Sequence, residues 1–139
     1  MLVNQIAVFL ENRAGRLLEL TEILGKAGVD LVTLNIADTG EFGILRIVTR
    51  DNELATQVLR AAGYTVRDNS LIGVEVSDQA GGLALMLRAL TNEDIDIEYL
   101  YSFAHAKQGT AVILFRVDNE QHALEILRAN KFKILSEIL

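Results

Sequence analysis

The stretch LENRAGRLLEL, residues 10–20, carries an apolar run into a polar Glu11-Asn12, then a glycine, then leucines at helical spacing. The run that enters it, Ile6-Ala7-Val8-Phe9-Leu10, has the character of a buried strand. Sixty-six residues later VSDQAGGLALM, residues 76–86, makes the same corner again. A strand that ends in a glycine corner and restarts as a helix, twice in 139 residues, reads as one small unit present in two copies.

Matches accumulate at this offset. Ile6, Val8 and Leu10 meet Ile72, Val74 and Val76, and Ala14-Gly15 meets Ala80-Gly81. Leu17 and Leu24 meet Leu83 and Leu90, Val29-Asp30-Leu31 meets Ile95-Asp96-Ile97, and Gly43 meets Gly109. Beyond Gly43 the offset drifts by one or two, so that Asp51-Asn52-Glu53 faces Asp118-Asn119-Glu120 and Leu59-Arg60-Ala61 faces Leu127-Arg128-Ala129.

Each copy spells the same elements. Residues 3–10 and 71–77 suit buried strands. Residues 15–27 place Leu17, Leu20, Leu24 and Ala27 on one helical face, as Leu83, Leu87 and Leu90 do in the copy, and Gly28 ends the first helix. Residues 30–38 alternate, with Val32, Leu34 and Ile36 against Thr33, Asn35 and Ala37. A turn at 40–43 leads to a strand at 44–50, and Lys107-Gln108-Gly109 leads to its counterpart at 110–117. Asp51 and Asp118 are placed to cap helices over 52–62 and 119–129. Short strands at 64–67 and 131–136 close the units, joined through Asp68-Asn69-Ser70. The fold class is α+β: two tandem ferredoxin-like βαββαβ units, residues 1–69 and 70–139, each an antiparallel four-stranded sheet with helices on one face.

Composition narrows the function. A net charge of −6 disfavours nucleic acid and anionic membranes, since both need clustered Lys and Arg. The absence of cysteine removes disulfides, thiol nucleophiles and thiolate metal sites. There is no run long enough to span a bilayer and no signal-peptide pattern at Met1–Gln5, so a cytoplasmic location is expected. No cofactor or metal is expected: Gly81-Gly82 lacks the third glycine of a dinucleotide fingerprint, and neither a P-loop nor a nucleophile elbow occurs. His105 and His122 lack partners at metal-ligand spacing, and Glu93, Asp94, Asp96 and Glu98 read as a solvated face.

A first strand ending in a loop with Asn or Asp, then Gly, then Leu, inside a βαββαβ unit, resembles the ACT domain, a small amino-acid-sensing regulatory module. The loops are Asn12-Arg13-Ala14-Gly15-Arg16-Leu17 and Asp78-Gln79-Ala80-Gly81-Gly82-Leu83, with Ala14 and Ala80 where the family's pattern has proline. AGVDLVTLNIA, residues 27–37, also resembles the family's helix end and second strand. The resemblance covers nearly the whole chain as two units without an enzyme domain. It implies a non-catalytic sensor whose ligand, an amino acid, lies between two units, held by the loop of one and the second strand of its neighbour. It also implies a homodimer and a regulated enzyme partner whose identity the residues do not name.

The corner's chemistry fits such a ligand. Asn12 and Asp78 read as helix N-caps, the free N–H groups of a helix start suit a carboxylate, and Gly15 and Gly81 admit close approach to the backbone. Asn35 is placed to line the ligand. Tyr99, Tyr101 and Phe103 form an aromatic stripe that reads as an interface, or as a wall for an apolar ligand side chain. Two rival readings stand beside this one. One is an interaction scaffold with empty corners. The other is an acylphosphatase-like hydrolase, for which Arg13, Arg16 and Asn35 are the only material, not reproduced in the second copy.

Overall fold

The computed structural model describes residues 2–38, 40–103 and 108–136, with the backbone alone at Asp38 and Phe103. His105 and Lys107 therefore lie outside the described residues. The described residues form seven strands and four helices in the order β1 (Val3–Glu11), α1 (Arg16–Lys26), β2 (Leu31–Asp38), β3 (Phe42–Thr49), α2 (Asn52–Ala61), β4 (Val66–Ser77), α3 (Gly82–Thr91), β5 (Ile97–Phe103), β6 (Thr110–Val117), α4 (Glu120–Ala129) and β7 (Lys133–Ile134). Two compact units result, Asn4–Asn69 and Ser70–Leu139, the latter including Leu2 and Val3.

In the N-terminal unit β3 lies between β1 and β2, antiparallel to both. Period-two alternation sends Ile6, Val8 and Leu10 of β1 and Leu45 and Ile47 of β3 to one face. There they meet Leu20 and Leu24 of α1, one turn apart, and Ala55 and Leu59 of α2. The C-terminal unit repeats the scheme, with β6 between β4 and β5, and β7 pairing with β4. Its core joins Ile72, Val74, Val76, Ile113, Phe115 and Val117 to Met86 and Leu90 of α3 and to Ala123, Leu124 and Leu127 of α4. On α3 the buried line is thus Met86–Leu90, while Leu83 and Leu87 are only half-buried at its flank. The helical face expected from Leu83, Leu87 and Leu90 is rotated, because Met86 fills the centre.

Three other sequence expectations change. The joint at Asp68-Asn69-Ser70 is no loop: β4 runs unbroken through it for 12 residues. Its polar residues are exposed or half-buried within the strand instead of breaking it. The register drift also begins earlier than Gly43. Strand β6 starts 68 residues after β3, and Gly109 has φ +88 as Gly40 has φ +87, whereas Gly43 sits within β3. The same shift makes Asn119 the cap of α4, its side chain accepting from His122 N, just as Asp51 accepts from Leu54 N at α2. Asp118 instead accepts from the N–H of Asn119. Finally, Leu34 and Ile36 point to the helix side of β2, paired with Ile47 and Leu45, but remain 45% and 42% exposed.

The left-handed turn that follows helix α1 is made by Gly28 (φ +75), with Val29 N donating back to Leu24 O. In the second unit Asp94 takes that role at φ +55, with Ile95 N donating to Leu90 O, so this acid serves the turn. Asn119→Ala is expected to cost about 1 kcal/mol, seen as a lower urea midpoint at unchanged slope. Asp118→Ala is expected to cost less, because α4 keeps its cap.

Candidate functional site

The two corners share a backbone solution. Gly15 (φ 88, ψ −15) and Gly81 (φ 88, ψ −5) are the N-caps of α1 and α3, both left-handed. An added Cβ would meet nothing within 4 Å at either, so glycine is needed here for its conformation. Neither helix start has a side-chain cap, whereas α2 and α4 both do. Arg16 N and Gly82 N close onto Arg13 O and Gln79 O, and the first helical bonds are Glu19 N to Gly15 O and Leu85 N to Gly81 O. Between them the N–H groups of Leu17 and Leu18, and of Leu83 and Ala84, precede the first carbonyl available to them within the helix.

Asn12 and Asp78 are not the N-caps that their spacing led us to expect. They lie three residues earlier, and their N–H groups donate to the carbonyls of Glu41 (2.8 Å) and Gly109 (3.0 Å). The β2–β3 and β5–β6 connections thereby dock on the corners.

The first corner is internally occupied. Asn12 Nδ2 donates to Gly40 O at 2.9 Å. Arg13 Nε lies 3.5 Å from Glu11 Oε2, both exposed. Arg16 turns back over the ring of Tyr64, 4.9 Å from its centroid, and pairs with Glu19 at 3.2 Å. Its Nε and the Tyr64 hydroxyl are buried without a hydrogen bond of good geometry. Burial, then the neighbouring Glu19 carboxylate, pushes the Tyr64 hydroxyl above its ordinary value, and the Arg16 charge opposes them. Ala14 and Leu17 stand at the surface of this corner. Tyr64 carried no motif, and its link to Arg16 had no signal in the sequence.

The second corner is open. The Asp78 carboxylate is exposed and makes no hydrogen bond or ion pair with a described residue. Gly82 stands where α1 has Arg16, and a Cβ on it would collide with the Ser77 carbonyl, so the start of α3 rests directly on the end of β4. A groove of ≈ 490 Å³ runs between Asp78, Gln79 and Gly81, the flank of α3 at Leu83 and Leu87, and the strand residues Ser102, Ala111 and Ile113. A second groove, ≈ 400 Å³, follows another face of α3 past Ala80, Gly82, Leu85 and Arg88. Both volumes are in the range of small-ligand sites. Sequence reasoning found the loop residues but missed Leu87, Ser102, Ala111 and Ile113. These read as ordinary core or strand positions, and only the tertiary fold brings them to the corner.

Asn35 is not brought to the corner of its own unit. It pairs with Arg46, on the sheet face away from the helices, three residues back along β2 from Asp38. Tyr99 and Tyr101 are likewise on the face away from the helices, paired with Arg116 and Leu114, and Tyr101 is only 9% exposed. Phe103 pairs with Val112 through its backbone. His122 lies 4.0 Å from Glu125. Among the described residues no group of three or more His, Cys, Asp or Glu could hold a metal ion. No described helix is long and apolar enough to cross a membrane.

Two βαββαβ units define a tandem module of the ferredoxin-like class. The chain belongs to the ACT domain pair family, whose model matches residues 1–138. Its fold is similar to protein BT0572 from Bacteroides thetaiotaomicron, at 36% identity over 97% of this chain and 92% of that one, with a TM-score of 0.91. It is also similar to the ligand-free regulatory subunit of aspartate kinase from Thermus thermophilus, at 12% identity over 91% of each chain, TM-score 0.66. The corresponding subunit from Thermus flavus gives 13% identity over 91% and 88%, TM-score 0.62. No curated protein matches the sequence.

Gly82→Ala is expected to destabilise by about 2 kcal/mol or more, because the Ser77 backbone must move. Denaturant unfolding measures it, and Gly25→Ala, with nothing within 4 Å of an added Cβ, is the control. The raised Tyr64 pKa also fixes a sign. A phenol held protonated in the fold contributes stability that is complete below about pH 10 and lost as pH rises through the folded value. Tyr64→Phe should therefore flatten the alkaline limb of a stability-versus-pH curve.

Proposed function

We propose that the protein is a non-catalytic regulatory module that binds a free amino acid at the second corner and works as a homodimer. The observation that carries this reading is the contrast among the four helix starts. The two away from the corners are closed by Asp51 and Asn119, while both corner helices are left without a side-chain cap. Uncapped N–H groups at a helix start favour a carboxylate. The unpartnered Asp78 carboxylate beside them suits the ammonium that an amino acid carries on the same carbon. Support for the second corner over the first comes from Arg16 and Asn12, whose side chains are engaged within their own unit.

Binding would stabilise one arrangement of the module and be read by an enzyme partner, as linkage requires of any sensor. The comparison with the regulatory subunits of aspartate kinase supports regulation of an enzyme as the setting. The homodimer reading is favoured by Leu34 and Ile36, two exposed aliphatics on the edge strand β2. Tyr99 and Phe103 remain part of the proposed interface, whereas Tyr101 is already buried within its own chain. Gly15, Gly81, Gln79, Ala80 and Asn35 are proposed to shape the sites rather than to carry charge.

A thermal-shift screen of the proteinogenic amino acids tests the ligand. A hundredfold excess over Kd should add about 2.7 kcal/mol, a rise of several degrees. Asp78→Ala should lose that rise, whereas Asn12→Ala should keep it. Gly81→Val is a poorer probe, because valine at φ +88 is strained with or without ligand. Light scattering should give twice the chain mass of 15.3 kDa, falling to the single-chain mass in Leu34→Lys/Ile36→Lys. A monomeric wild type refutes the dimer.

A further inference from the structure

From the lining of the larger groove we infer that the ligand of the second corner is an amino acid with an uncharged aliphatic side chain. The inference rests on reading that corner as the ligand site, and it adds the chemical class. Among the described residues that line the groove, Asp78 carries the only charge. An ammonium on the ligand's α-carbon uses that charge fully. A lysine- or arginine-like side chain would bring a second cation with no second acid to meet it. An aspartate- or glutamate-like side chain would meet no cation among the described lining residues, and would be buried beside a like charge at a cost. What remains for the side chain is apolar: Leu83 and Leu87 from α3, Ala111 and Ile113 from β6.

Leu83, Leu87 and Ala111 are open to the groove for a structural reason, while Ile113 is buried. Met86 and Leu90 take the buried line of α3, which leaves Leu83 and Leu87 half-buried on its flank. The adjacent Ala111 is small and half-buried, so it leaves depth where a larger residue would fill the floor. The volume of ≈ 490 Å³ accommodates a leucine-sized molecule with room for solvent at the mouth. Arg88, exposed and without a partner among the described residues, lines the other groove. Charge is therefore sorted between two faces of α3, with the anionic corner on the aliphatic side.

Isothermal titration of the full chain with leucine, isoleucine, valine, aspartate, lysine and glycine decides the matter, with Asp78→Ala, Ala111→Leu and Arg88→Ala alongside. The expected result is binding of the aliphatic amino acids, weakened about tenfold or more in Asp78→Ala and blocked for leucine in Ala111→Leu, while glycine still binds. Arg88→Ala should bind like wild type. Asp78-dependent binding of aspartate or lysine in place of the aliphatic ligands would overturn the class and leave the site intact. Aspartate binding lost in Arg88→Ala would move the site to the other groove. Aliphatic binding unchanged in Asp78→Ala, or no binding by any of the six, would overturn both the class and the corner.

Discussion

Everything at the two candidate sites depends on a glycine that holds φ near +88 between a strand and a helix. In that conformation the chain reverses its hydrogen-bonding direction within a few residues. The strand ends with its backbone docked on a neighbouring connection, through Asn12 N or Asp78 N, and the helix begins without a side-chain cap from the described residues. An L-residue with a side chain pays for that backbone whatever the surrounding space. Since an added Cβ at Gly15 or Gly81 would touch nothing, the constraint is one of torsion and not of crowding.

The units diverge one residue later. Arg16 in the first corner covers Tyr64 and binds Glu19, which ties the start of α1 to a residue three positions beyond α2. Gly82 in the second lets α3 lie against the Ser77 carbonyl. The first corner thus has the side chains of Asn12 and Arg16 engaged within their own unit. The second keeps its acid unpartnered beside a groove of mixed lining. Two pairs of aligned positions, Asn12 with Asp78 and Arg16 with Gly82, separate the two corners.

Much of this was legible in the sequence, because duplication samples each signal twice. Alternating apolar positions in Ile6–Leu10 and Ile72–Val76 placed the core strands, and Gly15 and Gly81 marked the corners. The ACT resemblance followed from those positions, and the family match bears it out. What sequence could not show was set by tertiary geometry. The cap of α4 moved from Asp118 to Asn119 because two residues inserted before β6 shift the whole second half of the unit. Met86 displaced Leu83 and Leu87 from the buried line, since hydrophobicity alone does not rank three neighbouring apolar residues on one helix. The loop read at Asp68-Asn69-Ser70 followed polar composition, but strand pairing outweighs composition when both flanking segments already extend.

That unbroken strand β4 has a consequence for how the protein is taken apart. A gene cut at the apparent boundary would divide a strand in its middle, leaving each fragment with a stub. The fragment beginning at Ser70 would also lack Val3, whose methyl lies 3.2 Å from where a Cβ on Gly73 would stand, and Leu2, which packs on the core of the C-terminal unit. The N-terminal residues therefore complete the half of the molecule farthest from them in the chain.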